Sequence, residues 1–246
     1  MHPIADCTPL QPLFADHRRG RGLLDAALHS GQGRARCDAP AAPSLAHLQV
    51  GGFALFGGDP DYPGISTLMA TLPPTWIIPE SAAWEKALLV PLEPQVKRRR
   101  RTRFAPPGLI DHPPTPRGYR IIPVQPAHIQ PRIQPDGRLF AFPSAAAFAA
   151  SGLGFCALAG DQIAAYALSY AVAPTSIEIE VQTGLAHRRR GLAFALCSRL
   201  LALCFERGLV PHWDAANPIS ANLAKKLGYQ QVEEYLSFRP LRPDEL

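Results

Sequence analysis

No two cysteines stand in C-x-x-C spacing, and the eight histidines show no metal-ligand spacing. Those absences argue against a zinc ribbon, a dithiol redox centre and a histidine-built metal site, so no metal is expected. The five cysteines are Cys7, Cys37, Cys156, Cys197 and Cys204. Cys197 and Cys204 fall on one apolar stretch, where core packing is the expected role of a thiol. Also missing is an uninterrupted run of the roughly 18 uncharged apolar residues that a membrane span requires. The start, Met1 to Asp6, lacks a signal-peptide core. A soluble cytoplasmic protein is the expectation, with no membrane partner.

Charge is also scarce: 18% of residues are Asp, Glu, Lys or Arg against 47% hydrophobic, which describes a well-buried globular chain despite 27 prolines. At 246 residues, one and a half to two units sharing a core are expected. The net charge of +5 comes mostly from arginine, with one dense block, Lys97-Arg98-Arg99-Arg100-Arg101-Thr102-Arg103. Nucleic-acid binding needs such charge interleaved with aromatic or groove-fitting partners, and only Phe104 is close. A solvated strand or connector is expected there, and nucleic acid is not an expected partner.

Residues 1–105 read as a small α+β unit. A short helix is expected from Gly22 to Ser30, paired strands over Arg34–Asp38 and Leu48–Phe56, and a break at Gly57-Gly58-Asp59-Pro60. Ile65–Leu72 and Ser81–Leu89 are candidate helices around a strand at Thr75–Ile78. This half carries no catalytic constellation. A proline-rich connector, 106–116, leads to a second unit over 117–246. There Tyr119–Val124 reads as a strand, prolines 126, 131 and 135 keep any following helix short, and Ser144 caps a helix ending before Gly152. Phe155–Ala159 and Gln162–Ala171 flank a hairpin signal at Gly160-Asp161.

The most informative stretch runs from Ile177 to Tyr229. Ile177 to Thr183 alternates apolar and polar residues, placing Ile177, Ile179, Val181 and Thr183 on one strand face and Glu178, Glu180 and Gln182 on the other. His187-Arg188-Arg189-Arg190-Gly191-Leu192-Ala193 then opens a proline-free apolar run to Phe205, closed by Arg207-Gly208. That run is a buried helix of roughly 25 Å. Small residues at its start leave backbone N–H groups unpaired at the positive end of the dipole; with three guanidiniums they make a site for phosphate. Val210–Asp214 reads as a short strand, and Ser220 as the cap of a helix running to Leu227 and closed by Gly228-Tyr229.

Arg188-Arg189-Arg190-Gly191-Leu192-Ala193, Asn217 and Leu227-Gly228-Tyr229 resemble the motifs of the GNAT superfamily of acyl-CoA-dependent N-acyltransferases, closely over Ile177–Tyr229 and more patchily upstream. The resemblance implies a mixed α+β GNAT fold in the C-terminal half. Its central, mostly antiparallel sheet is flanked by helices, and its fourth and fifth strands splay apart. The smaller N-terminal unit would then be a degenerate acyltransferase-like half. Acetyl-CoA is the implied co-substrate: backbone groups of Val181 and Thr183 meet the pantetheine arm and the thioester oxygen, Arg188 to Ala193 hold the diphosphate, and Asn217, with Ser220 beside it, bonds the arm.

The implied reaction is direct attack of a small-molecule amine on the acetyl group in a ternary complex. An alkyl ammonium has a pKa near ~10.4, so a base must make it neutral. Glu178, then Glu180, are the candidate bases, set against a solvated strand face. The tyrosine that many members place seven residues after the Asn is Ala224 here, which leaves the general acid open between Tyr229, Ser220 and water. Acylation of a protein amine, and an acyl-CoA sensor or scaffold without catalysis, are the alternatives. Oligomeric state is not legible.

Overall fold

The computed structural model describes residues 1–70, 72–108, 113–132, 139–241 and 243–245. Thr71, Pro135 and residues 109–112 of the expected connector lie outside them. In chain order the first half runs β1 (His2–Ile4), α1 (Arg21–Ser30), β2 (Arg34–Cys37), β3 (Leu45–Val50), β4 (Phe53–Gly58), α2 (Ile65–Ala70), β5 (Trp76–Ile78), α3 (Ala82–Leu89) and β6 (Val96–Ala105). The second runs β7 (Arg120–Pro123), α4 (Ala145–Ser151), β8 (Gly154–Ala159), β9 (Gln162–Val172), β10 (Ser176–Thr183), α5 (Leu192–Glu206), β11 (Val210–Ala215), α6 (Pro218–Lys226) and β12 (Gln230–Pro240). Apart from short 3-10 turns, the two halves repeat one order of elements.

The strands form one twelve-stranded sheet, ordered β1-β2-β3-β4-β5-β12-β6-β11-β10-β9-β8-β7. Replacing each strand by its counterpart six places away reverses this order, so the halves are related by a pseudo-two-fold. β4 and β5 pair in parallel, as do β10 and β11. The sixth strand of each half is exchanged: β6 pairs with β11, β12 pairs with β5, and the two pair with each other in the middle.

Two local expectations are corrected. The strand expected over 48–56 is a hairpin, because Gly51 takes a positive φ and turns the chain between β3 and β4. α6 begins at Pro218, capped by the Asn217 side chain accepting from the Ser220 N–H at 2.9 Å, so Ser220 is not its cap. Proline suits that first helical position because its missing N–H would be unpaired anyway. β12 has no clear sequence signature: Gln230-Gln231-Val232-Glu233-Glu234 is polar, and it forms a strand because β6 offers partners along its whole length.

The basic block is β6, and only part of it is solvated. Arg98 and Arg100 are exposed and pair with Glu93 and with Glu234. Arg103 pairs with Glu233 at 2.8 Å. Arg101, in contrast, is 5% exposed and carries a bidentate contact to Asp214, Nε to Oδ1 at 2.9 Å and Nη2 to the carbonyl at 2.8 Å. Burying a guanidinium demands a partner, and β11 provides one.

One sheet face carries α5 and α6, whose apolar sides pack on Ala157, Ile177, Phe104, Trp213 and Ala215. The other face carries α1, packed on Leu48, Leu55, Ile78, Ala171 and Tyr235. α1 approaches β10 so closely that a Cβ on Gly22 would lie 2.7 Å from Glu178 Oε2 and 2.9 Å from its backbone nitrogen. We expect Gly22→Ala to force α1 off the sheet and to cost roughly 1–3 kcal/mol, as overpacked cores do; urea unfolding of wild type and variant measures it.

Candidate active site

β10 and β11 pair only from Ser176–Glu178 against Val210–His212. Beyond that register β11 turns to β6, whereas β10 stays with β9 through Thr183. The β9–β10 register shifts by one at the parting point, with Tyr170 of β9 as the extra residue between the Glu178–Ala171 and Ile179–Ser169 pairs. The edge of β10 that faces β11 therefore loses its strand partner, and its outward N–H and C=O groups from Ile179 to Thr183 face a cleft of about 1050 Å³. Glu178, Glu180, Val181, Thr183, Arg188, Arg189, Gly191, Leu192, Ala193, Asn217 and Ser220 line it together. Arg190, exposed on the same loop, does not.

The alternation expected for this strand holds for its apolar residues, since Ile177, Ile179 and Val181 all pack on the α5 side. Glu178 is 7% exposed, wedged beneath the first turn of α1, while Glu180 is half-buried on the cleft wall. Burial, then the negative charge of Asp214, pushes the Glu178 carboxyl up to about 8, against the opposing pull of Arg101. Its Oε2 has no hydrogen-bond partner among the described residues. A protonated acid at neutral pH is the cheaper form in such surroundings.

The arginine loop meets α5 at Gly191, whose φ of 78° is left-handed. No side chain caps this helix, so the first N–H groups of its 15 residues open toward the cleft. Arg189 also takes a positive φ, 60°, aiming successive backbone amides along the loop. An uncapped helix start flanked by the guanidiniums of Arg188 and Arg189 is chemically matched to a diphosphate. The loop is not rigid by sequence alone: the His187 ring is held by the Tyr119 hydroxyl at 3.0 Å.

At the other arm of the cleft, Asn217 Oδ1 is occupied by the cap, leaving its amide N–H₂ for a ligand. Ser220 Oγ accepts from Trp213 Nε1 at 3.2 Å. Tyr229 is removed from the list of candidate acids: it is 3% exposed in the α5-side core and its hydroxyl donates to the Pro211 carbonyl at 2.9 Å. Ala224 is fully buried.

The first half, which carries no motif, supplies much of the remaining wall: Leu23, Phe53, Ile78, Arg99 and Arg101. Tyr170, from β9, completes it. Asp214 sits between Arg101 and the Tyr235 hydroxyl, which donates to Oδ2. The arginine block at 97–103 was the one sequence signal for this wall. Among the described residues no group of three or more His, Cys, Asp or Glu could hold a metal ion, and no helix is long and apolar enough to cross a membrane.

The GNAT acetyltransferase profile matches residues 11–238, and the chain belongs to that family. An N-acetyltransferase of Bacillus subtilis, YdfB, described as uncharacterized, is 36% identical over 94 residues. The match spans 37% of this chain and 36% of that relative. Among solved structures, a GCN5-related N-acetyltransferase-like protein from Streptococcus suis superposes with a TM-score of 0.71 at 23% identity, covering 93% of this chain and 99% of its own. A tandem GNAT protein from the clavulanic acid biosynthesis pathway superposes at 0.59 and 13% identity, with 98% of each chain covered. At these identities the superpositions speak for the fold.

Glu178 has a measurable consequence for stability. Its folded carboxyl keeps a proton to about pH 8, whereas an ordinary carboxyl releases one near 4.5. Between those values the folded state binds more protons than the unfolded one, so this contribution, complete below 4.5, is lost as pH rises toward 8. We expect Glu178→Gln to flatten the fall in urea midpoint between pH 5 and pH 8.5, with the variant relatively more stable at the alkaline end.

Proposed function

We propose that the chain is an N-acetyltransferase that moves the acetyl group of acetyl-CoA to the amine of a small molecule by direct attack in a ternary complex. The observation that carries this reading is the convergence, in one cleft, of the unpaired edge of β10, the uncapped start of α5 and a carboxyl poised near 8. The residues present fit the cofactor. Arg188, Arg189 and the first amides of α5 would hold its diphosphate, and the edge of β10 from Ile179 to Thr183, with the Asn217 amide, would hold its arm. When bound, the cofactor supplies the acetyl group as an activated thioester.

This chain's own task is to present a neutral amine. Glu178 is our first choice of base and Glu180 our second, since both line the cleft. A carboxyl raised to about 8 is a stronger base than an ordinary one, closer to what an ammonium with pKa ~10.4 requires. Because Tyr229 faces the core, the thiol, near pKa ~8.5 by analogy with cysteine, departs with help from the Ser220 hydroxyl or water.

Residues 1–105 are, on this reading, a degenerate acyltransferase-like half, joined through 106–116 to the cofactor-binding half at 117–246. The support is chemical as well as topological. The loop after β4 that corresponds to the arginine loop after β10 carries Asp59 and Asp61, whose charges oppose a diphosphate. A non-catalytic acyl-CoA sensor is the second reading, favoured by Ala224 at the usual tyrosine position.

Acetyl-CoA at a hundred times its dissociation constant should stabilise the protein by roughly 2.7 kcal/mol, read as a thermal shift. Gly191→Asp, which sets a carboxylate against the diphosphate and strains a left-handed residue, should abolish that shift. No shift in the wild type would sink the cofactor assignment.

For the base, the wild-type acetylation rate should rise with pH through about 8 as Glu178 loses its proton. Glu178→Gln should lower the rate at neutral pH and remove that inflection, leaving a slower rise that follows the amine itself. Rates equal to wild type in both Glu178→Gln and Glu180→Gln would assign the proton to water.

A further inference from the structure

The acceptor is the part of the reaction that the arginine loop says nothing about, and the α1 face of the sheet does. Along β6, period two puts Arg99 on the same face as Arg101. That face is fixed by Arg101, whose guanidinium lies 5.3 Å from the Phe53 ring and pairs with Asp214. Arg99 stacks 4.1 Å over Trp76, the neighbour of Phe53 across the β4–β5 pair. Trp213 and Ala215, by contrast, point to the α5 side. Arg99 thus reaches the cleft from the side opposite α5, together with Phe53, Ile78 and Tyr170.

Its charge is the anomaly. Arg98, Arg100, Arg101 and Arg103 each have a carboxylate: Glu93, Glu234, Asp214 and Glu233. Arg239, which also approaches Trp76 at 5.4 Å, is held by Glu245 at 2.6 Å. Among the described residues Arg99 makes no ion pair and no side-chain hydrogen bond; its charged neighbours, Arg101 and Arg239, are both cationic. The side chain is exposed: the indole covers one face of the guanidinium, and the in-plane N–H donors meet solvent at the cleft, open to a ligand. Close by, Asp214 is neutralised by Arg101, so this end of the cleft is left with net positive charge. A simple cationic amine would be repelled there unless it brought its own anion.

We propose that the acceptor is a primary amine bearing a carboxylate on an apolar body, with Arg99 as the residue that binds the carboxylate and sets this specificity. The inference rests on the acetyltransfer reading for its amine and on Arg99 for its anion. The carboxylate would receive the guanidinium's two parallel N–H donors, the apolar body would lie on Phe53 and Ile78, and the amine would be left toward Glu178.

The test uses matched ligands that differ only in the anion: leucine against leucinamide and isoamylamine, and phenylalanine against phenylalaninamide and phenethylamine. Calorimetry on the full chain, with and without saturating CoA, should give at least tenfold tighter binding for each carboxylate. That margin should vanish in Arg99→Gln and recover in part in Arg99→Lys, while CoA affinity stays at the wild-type value in both. In turnover, Arg99→Gln should raise KM for the carboxylate amines and leave the amides' KM unchanged. Equal binding within each pair, equal losses for all ligands in Arg99→Gln, or no binding of any carboxylate amine overturns the proposal. CoA failing to bind while the carboxylate preference persists would instead overturn the acetyltransfer reading and leave the anion site standing.

Discussion

The centre of this molecule is held by the backbone ladder between two exchanged strands, along which opposite charges meet. β6 and β12 come from different halves, and no continuous apolar stripe joins them; arginines on β6 meet glutamates on β12, Arg103 with Glu233 and Arg100 with Glu234. Arg19, ahead of α1, adds a second guanidinium to Glu233 at 2.9 Å. Exposed pairs of this kind are each weak. The Arg101–Asp214 pair is different, because both side chains are almost wholly buried. Such a pair contributes little net stability over apolar packing, yet leaving either member alone is very costly. It therefore enforces the one register in which β6 lies beside β11.

That register determines the site. β11 pairs with β10 only through Val210–His212 and with β6 from Trp213 to Ala215, and the sheet parts after Glu178 and His212. Parting exposes a strand edge, the feature that β proteins usually cover. Here the edge of β10 lines the cleft instead. The same event places Glu178 where α1, Asp214 and Arg101 all reach it, and its raised proton affinity follows from that crowding.

Repetition of one topology with divergent loops explains the division of labour. The half with Arg188 and Arg189 after its fourth strand presents cations to the cleft; the corresponding loop of the other half carries Asp59 and Asp61. What the first half retains is the α1 face, which delivers Phe53, Ile78, Arg99 and Arg101 to a cleft whose motifs belong to the second half.

From Ile177 to Tyr229 the signals are local, and the residues alone were enough: alternation for β10, a left-handed glycine opening α5, an Asn at the end of β11. Local chemistry also marked the arginine loop that opens α5. Sequence could not separate Arg99 from Arg98 or Arg101, because a run of like charges has no preferred face until its partners are known, and Asp214, Glu233 and Glu234 lie more than a hundred residues away. β12 was illegible for the same reason, being polar and stabilised by pairing with a strand from the other half. Nor could strict alternation foresee that α1 buries Glu178 while Glu180 stays on the cleft wall. Backbone preference and helix capping act over a few residues and are written in the chain; ion pairing, strand exchange and the desolvation of a carboxyl depend on residues distant in sequence, and only the tertiary structure decided them.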